Sequence, residues 1–270
     1  MNDFNDKVAA ITGAGSGMGQ ALAVLLSKQG CHVAIADINS EQLESTAKMI
    51  TSEVKVTTHV VDVADKIAVK NFANAVVQQH GKVNMIFNNA GVSVTDLATR
   101  MSIEDFEWLM DINFWGVIHG TRAFLPLISE QAEGHIINTS SIFGTIAVPS
   151  QSAYNASKFA VRGYTYALRQ ELADGHIGVS CVQPGGVKTN IVKSSRFVPS
   201  DNASPTKEEM EQQFQSMARL TSEEAAEVIL KGVKKNKAQI LVGTDAKIMA
   251  LVERLFPTSY MKLFGNFIGN

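Results

Sequence analysis

The stretch K7-V-A-A-I-T-G-A-G-S-G-M-G19 decides the fold. Val8 to Thr12 read as a short buried strand, and the glycine-rich turn after them leads into Q20-A-L-A-V-L-L-S-K-Q-G30, an apolar segment of helical length. Strand, glycine turn and helix amino terminus together make an anion site. The first helical N–H groups have no partner inside the helix, and the helix dipole favours negative charge beside them. Gly13, Gly17 and Gly19 allow the backbone to turn tightly and to approach a pyrophosphate closely, with Ser16 and Met18 in the same turn. The spacing is not G-x-G-x-x-G, because the gap after the first glycine is longer.

Working outward, strand and helix patterns alternate. H32-V-A-I-A-D37, K55-V-T-T-H-V-V-D62, V83-N-M-I-F-N88, H135-I-I-N-T-S140, I177-G-V-S-C-V-Q183 and Q239-I-L-V-G243 are short runs rich in β-branched residues, separated by segments of helical length. With the opening strand this predicts seven. Near-continuous apolar strands divided by helices imply an α/β fold: one doubly wound, mostly parallel sheet covered on both faces, with ligands gathered at the carboxyl ends of its strands. No repeat, low-complexity tract or linker divides the chain, so residues 1–270 are expected to form one domain. Its core spans 7–243, followed by an apolar helical tail over 244–270. The irregular stretch from Gly186 to Pro205 is expected to be a mobile loop within a substrate segment of about 186–220.

Composition agrees with this and excludes other classes. The 270 residues are 45% hydrophobic with a formal charge of −2, which is ordinary for a soluble globular domain and offers no basic excess for nucleic acid. The start M-N-D-F-N-D is polar and acidic, without the basic and apolar pattern of a signal peptide, so a cytoplasmic location is expected. No apolar run approaches membrane-spanning length. Cys31 and Cys181 fall at and inside candidate strands, as small buried hydrophobes do, and the six histidines show no metal-ligand spacing.

The chemistry is carried by Ser141, Tyr154 and Lys158. Tyr154 and Lys158 lie in Q151-S-A-Y-N-A-S-K-F-A-V-R-G-Y-T-Y-A-L-R-Q-E-L172, a proline-free run of helical length, so residues four apart share a face. A free tyrosine titrates near pH ~10, and a cation a few ångströms away can lower that by roughly 1 to 3 units. A tyrosine tuned this way exchanges protons with an alcohol.

Five elements in order now identify a resemblance: T12-G-A-G-S-G-M-G19, N88-N-A-G91, Asn113 in D111-I-N-F-W-G116, Ser141 thirteen residues before Tyr154, and P184-G-G-V-K-T189. The chain resembles the short-chain dehydrogenase/reductase family in its single-domain form, over residues 7 to 243. The resemblance implies a Rossmann-type fold and hydride transfer between an alcohol or ketone and a nicotinamide, with Tyr154 as general acid/base. It gives Ser141 a hydrogen bond to the substrate oxygen and Lys158 two jobs, lowering the tyrosine pKa and binding the nicotinamide ribose. It has Asn113 hold a water that links Lys158 to solvent. Asp62 and Val63 match the family's adenine contacts, Asn89, Ala90 and Gly91 its segment beside the ribose, and Pro184, Gly185, Val187 and Thr189 its segment around the nicotinamide. Ser140, Ser152 and Ser157 are expected only to hydrogen-bond their strand end or helix.

Asp37 closes the second strand about twenty residues after the glycine turn, where a carboxylate accepts hydrogen bonds from ribose hydroxyls and repels a 2′-phosphate. With Asp37, Ile38 and Ser16 in place of a basic residue, NAD is the expected cofactor. Two other readings remain: the same machinery working mainly as a NAD(P)H-dependent carbonyl reductase, or a dinucleotide-sensing protein without turnover. V92-S-V-T-D-L97, I142-F-G-T-I-A-V148, Val187, Ile191, Val192, Phe197 and Val198 should border the substrate, which favours a hydrophobic alcohol or ketone. A homodimer or homotetramer is implied by the resemblance, through long helices over roughly Ser102–Leu127 and Ser152–Ala173. The tail A246-K-I-M-A-L-V-E-R-L-F-P-T-S-Y-M-K-L-F-G-N-F-I268 is divided by Pro257. Ile248, Leu251, Val252 and Leu255 form one apolar stripe, and Tyr260, Met261, Phe264, Phe267 and Ile268 a second. It reads as a segment docked on its own or a partner subunit, a lid over the substrate, or a peripheral membrane contact.

Overall fold

The computed structural model of the chain describes residues 1, 3–197 and 206–262. The opening stretch forms β1 (Val8–Thr12), every residue buried, followed by helix α1 (Gly17–Ser27). Then come β2 (His32–Asp37), α2 (Ser40–Met49), β3 (Val56–Val60), α3 (Lys66–His80), β4 (Met85–Asn88) and a two-residue strand, β5 (Val94–Thr95). Helix α4 (Ile103–Met110) runs through a π turn (Asp111–Trp115) into α5 (Gly116–Ser129). The second half holds β6 (Gly134–Thr139), a 3₁₀ turn (Ile142–Gly144), α6 (Ser152–Glu171), β7 (Ile177–Pro184), β8 (Arg196–Phe197), α7 (Lys207–Met217), α8 (Ser222–Lys234), β9 (Gln239–Val242) and α9 (Thr244–Leu255).

Seven strands make one sheet in the order β3-β2-β1-β4-β6-β7-β9, and every pairing in it is parallel. Alternation along β1 explains why both faces are covered. Ala9 and Ile11 pack with Leu22, Leu26, Ile229 and Val233 from α1 and α8, whereas Val8 and Ala10 pack with Phe72, Val76, Phe124 and Ile128 from α3 and α5. Local chemistry sets the helix starts. Asp65 accepts from the N–H groups of Ile67 and Ala68, Ser102 from that of Asp105, and Thr206 and Thr221 form capping boxes with Glu209 and Glu224.

The chain builds outward from β1 to β3, then returns to place β4 on the other side of β1. That reversal opens a crevice beyond the carboxyl ends of β1 and β4, the standard ligand position in an open parallel sheet. Thr12 and Asn88 end the two strands, so the glycine turn and N88-N-A-G91 meet there.

Three features depart from expectation. The predicted helix over 102–127 is split by the π turn, whose wide geometry turns Asn113 inward. The 186–197 part of the substrate segment is tied down: Val187 bridges Leu220, the Lys188 N–H donates to the Leu220 carbonyl at 2.9 Å, and β8 pairs with β5. Val198, Pro199 and the rest through Pro205 lie outside the described residues. Finally, the tail's first stripe faces out, with Ile248, Leu251 and Leu255 exposed and only Val252 packed inward. Phe264, Phe267 and Ile268 lie outside the described residues.

Candidate active site

The glycine turn is shaped by contacts no side chain could tolerate. Gly13 and Gly17 adopt φ of +64° and +55°. A Cβ on Gly19 would stand 2.1 Å from the Gly13 carbonyl oxygen, and one on Gly13 would stand 2.7 Å from the Ala90 Cα. Asn89 locks this arrangement from β4, its Nδ2 donating to the carbonyls of Thr12 and Gly13 at 3.1 and 3.3 Å. The Thr12 hydroxyl accepts the N–H groups of Asn89 and Ala90 at 3.0 and 3.1 Å, a role that reading the motif as a string of glycines missed. Ser16 precedes α1 in extended conformation, its side chain makes no capping bond, and the first turn of α1 carries no acidic residue. The positive end of α1 is thus left for an anion.

A cavity of about 350 Å³ opens over this turn. Of the residues expected to hold a dinucleotide, Gly13, Ser16, Gly17, Met18, Asp37, Ile38, Asp62, Val63, Asn89, Ala90, Gly91 and Thr189 line it. Asn39, Gln42, Val61, Val92, Ile112, Asn190, Ile191 and Ser194 line it as well, most of them next to predicted positions. Asp37 accepts from the N–H groups of Gly15 and Asn39 at 2.9 and 3.0 Å, so the carboxylate joins the end of β2 to the glycine turn. Asp62 caps its strand end by accepting from the Ala64 N–H at 2.9 Å, while also lining the cavity. Gly19, Tyr154, Lys158, Pro184, Gly185 and Val187, also expected to hold the cofactor, are not among the lining residues. The Gly186 N–H beside Gly185 donates to Asp245 Oδ2 at 2.7 Å, and no sequence signal had marked that carboxylate at the start of α9.

The catalytic candidates do not line this cavity; they adjoin it at Gly91. Ser141 opens the 3₁₀ turn, its Oγ accepting from the Phe143 N–H at 3.1 Å, which leaves the hydroxyl proton to be donated. Lys158 lies one turn after Tyr154 on α6, with Nζ 5.6 Å from the tyrosine ring centroid and donating to the Thr139 carbonyl at 3.0 Å. A Cβ on Gly91 would lie 3.2 Å from Asn113 Oδ1 and 3.4 Å from Lys158 Nζ, so this glycine is where cavity and catalytic group touch. Asn113 is fully buried; its amide donates to the Val92 carbonyl at 2.9 Å and accepts the Val92 N–H at 2.8 Å. Ser140 and Ser157 donate to the backbone carbonyls of Lys158 and Tyr154, at 2.7 and 2.8 Å.

Electrostatics correct the sequence expectation for Tyr154. Its phenol is held above the ordinary value by burial, offset in part by a hydrogen bond from Ser141, rather than lowered by the lysine. Burial pushes the Lys158 amine down to about 8. Desolvation disfavours the charged form of both partners, and for Tyr154 it outweighs a cation 5.6 Å over the ring that also donates a hydrogen bond to the Thr139 carbonyl. Cys31 and Cys181 are free and buried, and burial pushes each thiol up to about 12. Among the described residues no group of three or more His, Cys, Asp or Glu could hold a metal ion, and no helix is long and apolar enough to cross a membrane.

Comparison with known proteins agrees with this geometry. The family profile described as short chain dehydrogenase matches residues 7–197. The putative oxidoreductase SadH of Mycobacterium tuberculosis (strain H37Rv) is 41% identical over 266 residues, covering 97% of this chain and 95% of that protein. Among solved structures, a short chain dehydrogenase/reductase from Burkholderia phymatum in complex with NAD is 31% identical with a TM-score of 0.86, covering 94% of this chain and 95% of that one. A short chain dehydrogenase from Mycobacterium paratuberculosis bound to NAD is 26% identical with a TM-score of 0.75, over 89% and 97% of the two chains. This chain belongs to the short-chain dehydrogenase/reductase family. It is an oxidoreductase of that family with a Rossmann-like dinucleotide-binding fold.

Proposed function

We propose that the protein transfers a hydride between NAD and a hydrophobic secondary alcohol or ketone, with Tyr154 as general acid/base. The observation that carries this reading is the meeting of two sites at Gly91, with the dinucleotide cavity on one side and Lys158 beside Tyr154 on the other. The glycine cradle and the unopposed amino terminus of α1 fit a pyrophosphate, and the presence of Asp37 and Asp62 in the cavity lining supports their contact with the adenosine half. Bound there, the nicotinamide would supply or accept the hydride.

The chain's own residues handle the proton. During oxidation Tyr154 takes the hydroxyl proton of the alcohol, and Ser141 donates a hydrogen bond to the same oxygen, where charge develops. Lys158 stabilises the phenolate once Tyr154 has given up its own proton. Asn113 and Lys158 flank the same side of Gly91, which supports a water relay from the lysine towards solvent. The same groups in reverse protonate a ketone. Asp37 favours NAD over NADP, because a 2′-phosphate would bring negative charge against its carboxylate. Val92, Ile112 and Ile191 line the cavity, and Met101, Phe106, Trp108 and Tyr154 pack against the same buried cluster of Val94, Leu109 and Ala153, an apolar surround suited to a hydrophobic substrate. Ile103, Trp115 and Phe159 are exposed on α4, the π turn and α6, which supports assembly of subunits through these helices.

The test is a panel of sterol, retinoid-like, aliphatic and aromatic secondary alcohols assayed with NAD and with NADP, repeated on Tyr154→Phe. The variant should lose roughly 10²-fold or more in kcat while binding NAD within a few fold of wild type. Retention of more than about a tenth of wild-type turnover would show that Tyr154 is not the acid/base.

A further inference from the structure

The segment from Ser141 to Val148 is a plate between two tyrosines. Phe143 meets the Tyr154 ring edge-on, with centroids 6.4 Å apart and planes at 88°. Ile142, Ile146 and Val148 bury against Ala246 of α9 and Tyr260, and Phe143 packs against the same cluster. Tyr260 follows the break at Pro257 and is 7% exposed, and its hydroxyl accepts the Ala147 N–H at 3.0 Å across 113 residues of chain.

The other anchors of the plate come from the catalytic body. Arg162 Nη1 donates to the Gly144 carbonyl and to Thr145 Oγ1, both at 3.3 Å, Gln183 Nε2 donates to Thr145 Oγ1 at 2.8 Å, and Asn155 Nδ2 donates to the Val148 carbonyl at 2.8 Å. Tyr260 differs in coming from the tail. It holds Ala147, near the end of the plate away from Ser141, so displacing it tilts the surface from which Ser141 and Phe143 reach Tyr154.

We propose that Tyr260 is a positioning residue, which through Ala147 and the 142–148 segment fixes Ser141 and Phe143 against Tyr154 and so brings the 258–262 stretch of the tail into the support of the catalytic group. The proposal rests on the roles of Ser141 and Tyr154 given above. Tyr260 is not one of the residues that line the dinucleotide cavity, so its influence should appear in turnover and not in dinucleotide binding. The groups facing Tyr154 are Ser141 and Phe143 from the plate and Lys158 from its own helix. Loosening the plate weakens the Ser141 hydrogen bond, which offsets part of the upward push that burial gives the phenol.

Tyr260→Phe removes the hydroxyl and keeps the ring. Measured on the full chain with whichever alcohol of the panel turns over best, it should lower kcat by about threefold to tenfold, the worth of one hydrogen bond. The rising limb of kcat/KM with pH should move to higher pH, and the dissociation constant for NAD should stay at the wild-type value. Ser141→Ala, assayed alongside, separates the two layers of argument. If Ser141→Ala costs little activity, the reading of the active site fails. If it abolishes activity while Tyr260→Phe has the wild-type kcat and pH limb, the role of Tyr260 is overturned. A Tyr260→Phe variant that melts earlier with unchanged kcat and pH limb is merely structural, and that result overturns the proposal too.

Discussion

Gly19→Ala isolates the glycine cradle in a single methyl group. The added Cβ would stand 2.1 Å from the Gly13 carbonyl oxygen and 2.7 Å from Asn89 Nδ2, roughly 1 Å inside ordinary non-bonded contact with the oxygen. The oxygen cannot simply yield. It is main chain, in a residue held at φ +64° and hydrogen-bonded by Asn89. Overpacking of this kind costs about 1 to 3 kcal/mol, which for a chain of this size lowers Tm by roughly 2 to 12 °C. Because the same shift moves the first N–H groups of α1, we expect NAD affinity to fall by roughly tenfold or more, the value of one hydrogen bond to a charged group. Gly163→Ala is the matched control. It adds the same methyl within α6 where nothing lies within 4 Å of the new Cβ, and it should raise stability by about 0.5 to 1 kcal/mol through helix propensity alone. Thermal melting with and without NAD, with calorimetric titration of NAD, reads both quantities. The argument from close approach is refuted if Gly19→Ala binds NAD and melts as wild type does, or if both alanine variants change alike.

Two further outcomes are expected. Asp37→Ala should weaken NAD and narrow its advantage over NADP, because a repulsive carboxylate goes along with the acceptor for the Gly15 and Asn39 N–H groups; a wild-type kcat/KM for NADP at or above that for NAD would sink the assignment. His135, buried on β6 with Nε2 2.8 Å from Ser180 Oγ, is pushed down to about 3 by burial, so below pH ~6.5 the unfolded chain binds a proton that the folded chain refuses. Its contribution is fully present above pH ~6.5 and is lost as pH falls towards about 3, a trend His80, pushed down to about 4, reinforces. Urea unfolding at pH about 7.5 and about 5 should show the loss, and a His135→Gln variant with an undiminished pH slope would count against this account.

Much of the site was legible because its signals are local. A buried five-residue strand, a glycine turn and an uncapped helix start are consecutive in sequence, so Gly13, Ser16, Gly17 and Met18 could be placed from residues 7–19 alone. Asp37 was readable for the same reason, closing a strand on the ligand side of a parallel sheet, whereas Asp62 came from the family resemblance. Tyr154 and Lys158 share a helix face by spacing. By itself, then, the sequence determined the elements, their parallel class and the identity of the catalytic and cofactor candidates.

Tertiary structure alone decided what depends on distant chain segments meeting. Strand order is one case: β4 beside β1 creates the crevice, and no periodicity within either strand states that neighbour. The π turn at Asp111–Trp115 is another, since Asn113 is held by the backbone of Val92, twenty-one residues earlier. The tail is a third. Helical spacing groups Ile248, Leu251, Val252 and Leu255 on one stripe, but only packing against Ile142 and Ile146 selects Val252 and Tyr260 for burial and leaves the other three exposed. The Tyr154 phenol follows the same logic, because spacing predicts a lysine neighbour while desolvation, a property of everything packed around both groups, sets the direction of the shift. Periodicity and turn chemistry act over a few residues, whereas burial is a sum over the whole fold.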